Sequence, residues 1–396
     1  MSMRLAVVTT SYPLISDSVS GVFVARLIES LPPSVSATVI TPASRTTNAG
    51  CGMNRVAIRC FHYAPRRLQT LAHEPGGIPV ALRTHTWTYL LLPGFLLAMF
   101  VSCLRRGRST DLIHANWAIC GCVAGLAGKL LRVPVITTLR GDDVTRAQQS
   151  LADRIILSLC LHWSHAVVTV SHSIETWIQE RYPHHTTKTC MIENGVEDVF
   201  LELPAGRNIA PSEPRLRLLT VGSLIARKGV DQIIAALHRL PERGQTMLTI
   251  VGDGPERKHL LELARTLGLQ RNVEFTGALA PSAIPREFAR AHVFVLASHS
   301  EGRPNVILEA MAAALPVVAS DIAGVNELVE HGHTGLLFRP GVIEELAQHL
   351  LALARDTTLR DRLGRAGRDF ILQRQLRWRT TAAQYYRLYT TLMETR

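Results

Sequence analysis

The stretch Ser300-Glu301-Gly302-Arg303-Pro304-Asn305-Val306-Ile307-Leu308-Glu309-Ala310-Met311-Ala312 decides the fold of the second half of this chain. The apolar run 291–296 before it is typical of a short buried strand, and residues 306–314 have the pattern of a helix. The Gly-Arg-Pro-Asn turn therefore lies where a strand ends and a helix begins. At such a junction, backbone N–H groups and the helix dipole favour an anion, above all phosphate.

Two acids, Glu301 and Glu309, stand on either side of this turn with seven residues between them. A carboxylate accepts hydrogen bonds and does not donate them, so neither acid is suited to hold phosphate. Sugar hydroxyl groups are the more natural partners of both side chains. Phosphate-binding N–H groups between two acceptors of hydroxyl groups suit a nucleotide-sugar.

The composition describes a globular protein with a basic surface. Its 396 residues are enough for two domains, and 47% of them are hydrophobic and 19% charged. The formal charge of +11 comes almost entirely from arginine, because the chain has only four lysines. Such a surface suits nucleic acid, an anionic membrane or phosphorylated substrates. We expect no nucleic-acid partner, because no recognisable nucleic-acid module accompanies the charge; a genomic bias towards arginine codons is the alternative explanation.

The cysteines and the N-terminus favour a cytoplasmic protein. Seven cysteines, an odd number spread along the chain, argue against a disulfide framework. Residues 1–4 lead directly into a predicted strand and not into a secretory leader. The apolar stretch 87–104 is interrupted by Pro93-Gly94 and is predicted to be a buried or groove-facing helix. A peripheral surface that docks on the anionic inner face of the membrane is the open alternative.

Both halves of the chain alternate short apolar strands with helical patterns, which is typical of doubly wound parallel sheets. The predicted strands are 5–9, 37–41, 111–114, 135–138, 166–170, 216–221, 246–251, 273–275, 293–297, 316–319 and 335–338. A polar stretch containing proline separates the halves. We therefore predict an α/β chain with domains over 1–200 and 215–372, a linker over 201–214 and a C-terminal helix within 373–396.

The stretch around the two acids resembles the Glu-x7-Glu motif of retaining glycosyltransferases of the family 4 type. Further motifs follow in that family's order, at Val221–Gly229, Val251–Pro255, Phe275–Gly277 and Pro316–Glu327. Several ordered motifs are much more specific than any one of them. The resemblance implies the GT-B fold, two Rossmann-like domains with a deep cleft between them and a final helix that crosses back to the first domain.

The resemblance also implies an activity, the transfer of a sugar from a nucleoside diphosphate sugar to a glycan or lipid-linked glycan. The N-terminal domain would bind the acceptor and the second domain the donor. Cell-envelope or extracellular polysaccharide synthesis, including exopolysaccharide and lipopolysaccharide, is the expected setting. We expect no cofactor, because the nucleoside diphosphate sugar is itself a substrate.

The resemblance assigns roles to residues of the second domain. Lys228 matches the phosphate-binding lysine, and Glu301 matches the acid near the donor sugar and its leaving oxygen. Glu309 matches the acid that binds the ribose hydroxyl groups. The family usually has an arginine where this chain has Ser223, and Arg227 is expected to replace it, since guanidinium groups bind phosphate in a bidentate manner. The remaining donor-side candidates are Gly222, Gly252, Gly254 and Gly277 for close backbone approach, and Asn305 and Val306 for backbone N–H groups.

Four residues of the first domain match family positions. Gly21 corresponds to a glycine that lets the donor phosphate or the acceptor approach the backbone, with an ordinary helix start as the alternative. Arg140 stands where the family usually has histidine, and would supply a permanent positive charge to the diphosphate or to an anionic acceptor. Asp143 matches a family acid whose role is either catalytic or structural. His114 is a candidate for the acceptor groove, or else a structural histidine.

The sequence shows no Asp-x-Asp signature and no metal-ligand spacing, so we predict no metal site and a metal-independent enzyme. Two other functions stay open. A nucleotide-sugar epimerase would share the architecture without needing an acceptor. A non-catalytic GT-B partner protein would explain Ser223 and Arg140, although the presence of Lys228, Glu301 and Glu309 argues against it.

Overall fold

The computed structural model describes residues 3–15, 18–45, 56–73, 77–204, 216–241 and 243–394. The chain forms two compact units, one made of residues 1–194 and 378–396 and the other of residues 195–377. Each unit contains one parallel sheet with helices packed on both faces. Apolar runs such as residues 293–296 are buried along their whole length, as expected for strands covered on both sides.

Among its described residues the first unit has seven strands: β1 (Met3–Val8), β2 (Val35–Pro42), β3 (Val56–Phe61), β4 (Leu112–Asn116), β5 (Val135–Leu139), β6 (Ala166–Thr169) and β7 (Thr189–Met191). Its helices, in chain order, are α1 (Val22–Glu29), α2 (Gly77–Thr84), α3 (Leu92–Gly107), α4 (Ala118–Leu131), α5 (Asp142–Gln149), α6 (Leu151–Trp163) and α7 (His172–Arg181). The strands are parallel and ordered β3-β2-β1-β4-β5-β6-β7, so the order reverses between β1 and β4.

The first helix of the second unit is α8 (Asp198–Leu201), and the part of this unit that the structure describes has six strands: β8 (Leu216–Val221), β9 (Thr246–Val251), β10 (Val273–Gly277), β11 (Val293–Leu296), β12 (Val317–Ser320) and β13 (Gly335–Phe338). Its further helices are α9 (Val230–Arg239), α10 (Arg257–Thr266), α11 (Ile284–Arg290), α12 (Asn305–Ala312), α13 (Ile343–Arg355) and α14 (Thr357–Gln373). The parallel order β10-β9-β8-β11-β12-β13 reverses between β8 and β11. Ligands of open parallel sheets bind outside the carboxyl ends of the strands at such a reversal.

The last helix, α15 (Trp378–Glu394), belongs to the first unit. Trp378, Ala382, Tyr385 and Tyr389 are buried in the same apolar cluster as residues of β1, β2 and α1. Their spacing of three to four residues places them on one face of the helix. The final helix is therefore part of the core of the N-terminal unit.

The unit boundaries differ from the predicted ones for identifiable reasons. The first division falls after Asn194 and not at residue 200, because Val196, Phe200 and Leu201 are buried in the core of the second unit. The second falls at Trp378 and not at residue 373, because α14 continues to Gln373 and Leu376 is buried in the core of the second unit. Most of the predicted linker, residues 205–214, lies outside the described residues.

All eleven predicted strands are present, and β3 and β7 were missed. Both are edge strands of the first sheet. β3 is mostly half-buried or exposed, and β7 has only three residues, so neither has the continuous apolar run of an interior strand.

Candidate active site

The loops after β8 and β11 meet at the point where the order of the second sheet reverses. The β8 loop contains Arg227 and Lys228, and the β11 loop contains Ser298 and Glu301. The backbone of His299 donates to the carbonyl of Arg227 at 2.8 Å, which holds the two loops together. Residues 73 positions apart in the chain are thereby placed in one cluster.

The centre of this cluster is the carboxylate of Glu301, whose side chain is only 9% exposed. Lys228 Nζ donates to Glu301 Oε1 at 2.5 Å, and Ser298 Oγ donates to the same oxygen at 2.7 Å. Arg227 Nη1 lies 4.0 Å from Glu301 Oε2 and donates to the carbonyl of Ser300 at 2.9 Å. Two cations and one anion therefore share this edge of the sheet, leaving one positive charge in excess.

Electrostatics keep Glu301 ionised. Burial by itself would raise the pKa of Glu301, but attraction to Lys228 and Arg227 and the hydrogen bonds from Lys228 and Ser298 outweigh it. Its pKa therefore lies below the ordinary value. Ser298 is a member of this site that sequence reasoning missed; its position directly after the β11 strand pattern is the only signal that could have pointed to it.

The predicted glycines allow the loops of the second unit to pack on each other. A Cβ on Gly252 would lie 1.9 Å from the carbonyl oxygen of Gly222, and one on Gly254 would lie 2.3 Å from that of Leu224. The loops after β8 and β9 thus touch through backbone atoms, where only glycine fits. Gly277 accepts a hydrogen bond from the backbone of Gly252. Packing against the neighbouring loop thus explains Gly252 and Gly254, whereas the sequence interpretation invoked approach to a nucleotide; a Cβ on Gly277 would meet no atom within 4 Å.

The start of α12 places the remaining donor-side candidates. Asn305 and Val306 form its first turn and are half-buried, next to the positive end of the helix dipole. Glu309 follows one turn later and is also half-buried, whereas Ile307, Leu308, Ala310 and Met311 are fully buried. Ser223 is half-buried in the β8 loop. The structure therefore places all donor-side candidates in the loops and helix start at one edge of the second sheet.

A second cluster lies at the carboxyl edge of the first sheet, around Arg140. Its guanidinium group donates to Asn116 Oδ1 through Nη2 at 2.7 Å and to Asn194 Oδ1 through Nη1 at 2.9 Å. It also lies over the ring of Phe23, 4.6 Å from the centroid. Asn116 ends β4, Phe23 lies in the first turn of α1, and Arg140 and Asn194 lie in the loops after β5 and β7.

Asp143 connects the loops after β4 and β5. Its carboxylate accepts the backbone N–H of Ala118 at 2.7 Å and that of Arg140 at 2.9 Å. Removal of this carboxyl group from water raises the pKa of Asp143 to about 6, although the N–H groups oppose the shift. These contacts support the structural alternative for Asp143.

His114 is buried inside the first unit, with 1% of its surface exposed. Its Nδ1 is hydrogen-bonded to Tyr389 Oη and its Nε2 to Thr138 Oγ1, both at 2.8 Å. The ring stacks on Tyr385, whose hydroxyl group bonds to Thr138 as well. Burial, with a smaller contribution from Arg140, lowers the pKa of His114 to about 3. This geometry favours the structural alternative over a place in an acceptor groove.

Gly21 is required by its own loop. It has φ of 69°, and a Cβ there would lie 2.1 Å from the carbonyl oxygen of Ser11. The residue directly precedes α1, which begins at Val22. Close approach of backbone to backbone therefore explains this glycine without a ligand.

Comparison with known proteins establishes the class of the fold. Sucrose-phosphate synthase from Thermosynechococcus elongatus matches with a TM-score of 0.80 at 22% identity, over 100% of both chains. HepE from Anabaena, crystallised with UDP-glucose, matches with a TM-score of 0.75 at 21% identity, over 98% of this chain and 100% of that one. With two parallel-sheet units of Rossmann type, the protein has the GT-B fold, as predicted.

Sequence comparison establishes the family. A model described as Glycosyltransferase Family 4 matches residues 21–199, and one described as Glycosyl transferases group 1 matches residues 207–370. Glycogen synthase from Mycobacterium tuberculosis is 30% identical over 292 residues, 72% of this chain and 69% of that protein. N-acetyl-alpha-D-glucosaminyl L-malate synthase from Bacillus anthracis is 25% identical over 301 residues, 74% of this chain and 78% of that protein. The chain belongs to glycosyltransferase family 4, which confirms the predicted family.

Proposed function

We propose that this glycosyltransferase moves a sugar from a nucleoside diphosphate sugar to a hydroxyl group of a glycan or lipid-linked glycan, in cell-envelope or extracellular polysaccharide synthesis. The observation that carries the proposal is the cluster of Lys228, Arg227 and Glu301 at the reversal point of the second sheet. The UDP-glucose bound by HepE supports a donor of this class.

The leaving diphosphate gains negative charge in the transition state, so fixed positive charges beside it lower the barrier. Lys228 and Arg227 supply two such charges, and Glu301 holds Lys228 in position through the 2.5 Å ion pair. We propose that Lys228 and Arg227 take the place of a metal cation and that transfer is metal-independent. Among the described residues, no three His, Cys, Asp or Glu side chains are grouped so as to hold a metal ion.

The stereochemistry is part of the proposal. Family resemblance implies retention of the anomeric configuration by attack on the front face, with the leaving phosphate accepting the proton of the acceptor hydroxyl group. In this protein Glu301 is engaged by Lys228 and Ser298. Because its carboxylate is already hydrogen-bonded, Glu301 is better suited to orient Lys228 than to attack the sugar as a nucleophile.

Donor binding is tested by thermal unfolding of the protein with UDP-, GDP- and ADP-sugars. A ligand that binds only the folded state, present at 100 times its Kd, stabilises it by about 2.7 kcal/mol. We expect one nucleotide series to raise the Tm and the Glu309→Ala variant to lose that rise, because Glu309 would bind the ribose. Glu262→Ala, which removes an exposed acid of α10, is the matched control and should respond like the wild type.

Product analysis with the selected donor separates the candidate functions. A new glycosidic bond together with free nucleoside diphosphate identifies transfer, and NMR of the anomeric centre reports retention. A changed sugar still attached to its nucleotide would instead identify an epimerase. If no donor raises the Tm of the wild type, the non-catalytic alternative is favoured.

We further propose that the enzyme is cytoplasmic and docks on the inner membrane face through residues 86–107. This helical stretch is long and apolar enough to cross a membrane, but Phe95, Met99 and Cys103 on one side of it are buried in the first unit. Only 22% of its most apolar window is buried, which does not fit the buried form of the predicted buried or groove-facing helix. The large exposed side chains are Trp87 at 43%, Tyr89 at 54%, Leu90 at 83% and Leu97 at 64%.

Charge complementarity favours an anionic bilayer as the partner of this face. Exposed arginines stand at both ends of the stretch, with Arg83 before it and Arg105 and Arg106 after it. Aromatic and aliphatic side chains between basic residues are typical of surfaces that lie in the membrane interface. The six cysteines of the described part of the chain are free thiols, which suits a reducing cytoplasm.

Leu90→Glu and Leu97→Glu are each expected to weaken binding to phosphatidylglycerol-containing vesicles about tenfold or more, since burying a leucine contributes about 1.5–3 kcal/mol. Co-sedimentation measures the bound fraction, with phosphatidylcholine vesicles as the neutral reference. Leu130→Glu, on α4 and 63% exposed in the wild type, is the matched control. Equal binding by the wild type and the three variants would exclude this face as the membrane-binding surface. Binding that does not depend on anionic lipid would exclude it as well.

A further inference from the structure

Arg140 is a cation whose side-chain acceptors are both neutral. Its guanidinium group donates to the amide oxygens of Asn116 and Asn194, at 2.7 and 2.9 Å. No carboxylate of the described residues forms an ion pair with it. Burial lowers the pKa of Arg140, which reflects the cost of a cation withdrawn from water. If the arginine were needed only for structure, a carboxylate partner would lower the free-energy cost of burying its charge.

The nearest acid is directed elsewhere. The carboxylate oxygens of Asp143 accept the backbone N–H groups of Ala118 and of Arg140 itself, at 2.7 and 2.9 Å. Asp143 therefore fixes the loop that carries Arg140 without pairing with its guanidinium group. Asp143 attracts the guanidinium group only through space, and in the described residues no carboxylate accepts a hydrogen bond from it.

A second donor beside Arg140 is also unused. Asn116 is completely buried, and its Nδ2 has no hydrogen-bond partner, whereas its Oδ1 accepts from Arg140. A buried amide N–H without a partner costs about 1–3 kcal/mol. Unused donors of this kind call for an acceptor that a ligand could supply.

The surrounding backbone is strained. Trp117, which follows Asn116, has φ of 71° and ψ of 151°, a conformation that is otherwise almost confined to glycine and costs about 1–3 kcal/mol. Its half-buried indole ring packs edge-on against Phe23, the residue on which Arg140 lies. Phe23 belongs to the first turn of α1, where the helix dipole adds positive potential.

We infer that Arg140, Asn116 and Asn194 form a receptor for an anionic oxygen group, phosphate or carboxylate, carried by the acceptor substrate. The assignment of the anion to the acceptor substrate rests on the proposed function. The anion site itself can be tested without any transfer reaction. Two N–H groups of the guanidinium fork remain for the ligand after the contacts to the two asparagines, which suits a planar or tetrahedral oxyanion. Asn116 and Asn194 are positioning residues for Arg140.

Calorimetric titration of the full-length protein with inorganic phosphate tests the receptor. The donor site is first saturated with the nucleoside diphosphate of the selected series, so that phosphate reports on the remaining anion site. We expect Arg140→Gln to weaken phosphate binding at least tenfold. Arg181→Gln, which removes an exposed arginine of the same unit, should bind phosphate like the wild type.

Asn116→Asp is the sharper variant, because it places a carboxylate against the guanidinium group without removing the arginine. The fold should keep its thermal stability, while phosphate binding should fall as far as in Arg140→Gln. Unchanged phosphate affinity in both variants would overturn the inference, as would equal loss in Arg181→Gln. Disappearance of phosphate binding in the wild type when nucleoside diphosphate is saturating would assign Arg140 to the donor diphosphate and overturn the acceptor assignment.

Discussion

Lys228→Met is expected to lower the turnover of sugar transfer by roughly 10²–10³-fold, the usual effect of removing one fixed group that stabilises transition-state charge. The lysine is 18% exposed and lies against Glu301, in the loop that follows β8. Donor binding should change less than turnover, because the charge on the leaving diphosphate increases only as the bond breaks. Lys258→Met, which removes an exposed lysine of α10, is the matched control and should leave turnover unchanged.

The same substitution should lower stability, because it leaves the carboxylate of Glu301 buried without its main partner. Breaking such a pair costs about 3 kcal/mol or more. The double variant Lys228→Met/Glu301→Gln removes both charges and should recover most of that loss. Chemical denaturation measures the free energy of unfolding, and initial rates measure turnover of the same preparations.

The comparison of the two readouts separates chemistry from folding. If Lys228 acts on the diphosphate, the double variant will be stable and still inactive. Recovery of activity together with stability would show that the pair only supports the loops after β8 and β11, and the proposed catalytic role of Lys228 would then be wrong.

His114→Phe is expected to remove a large pH dependence from the stability of the first unit. The pKa of His114 is about 3 in the folded protein and near 6.5 in an unfolded chain. Because the folded state binds this proton less tightly, its contribution to stability is present above pH 6.5 and is lost as the pH falls towards 3. The full difference corresponds to about 5 kcal/mol.

At neutral pH the same variant should be destabilised by about 1–3 kcal/mol, because Tyr389 Oη loses its hydrogen-bond partner. His114→Phe/Tyr389→Phe removes both members of that bond and should be close to the wild type in stability. Denaturant unfolding between pH 4 and pH 7 measures both effects. A parallel pH dependence in the wild type and in His114→Phe would show that this histidine does not stay neutral in the folded protein.

Catalysis gives an independent check on His114. A residue that only anchors α15 should leave the turnover and KM of the folded enzyme near their wild-type values at neutral pH. A large rise in the KM for acceptor with unchanged stability would restore the acceptor-groove interpretation.

Much of the site was predictable because its members are close in sequence or sit at strand ends. Glu301 and Glu309 share one short motif, and the strand pattern before it places that motif at the carboxyl edge of a sheet. The roles of Gly21, Gly252 and Gly254 were less predictable. A glycine pattern indicates that some atom comes close, but the atom proved to be a backbone carbonyl of the neighbouring loop.

The sequence by itself determined the alternation of eleven strands with helices, the division into two α/β halves and the family, because periodicity and motifs are local properties of the chain. The tertiary structure alone decided that Glu301 is ionised against Lys228, that His114 is hydrogen-bonded to Tyr389, and that the side-chain hydrogen bonds of Arg140 in the described residues go to neutral amides. Each of these contacts joins residues brought together by the order of strands or by the return of α15 to the first unit. Whether a titratable group is charged or a donor is satisfied depends on those distant neighbours, and no local pattern records them.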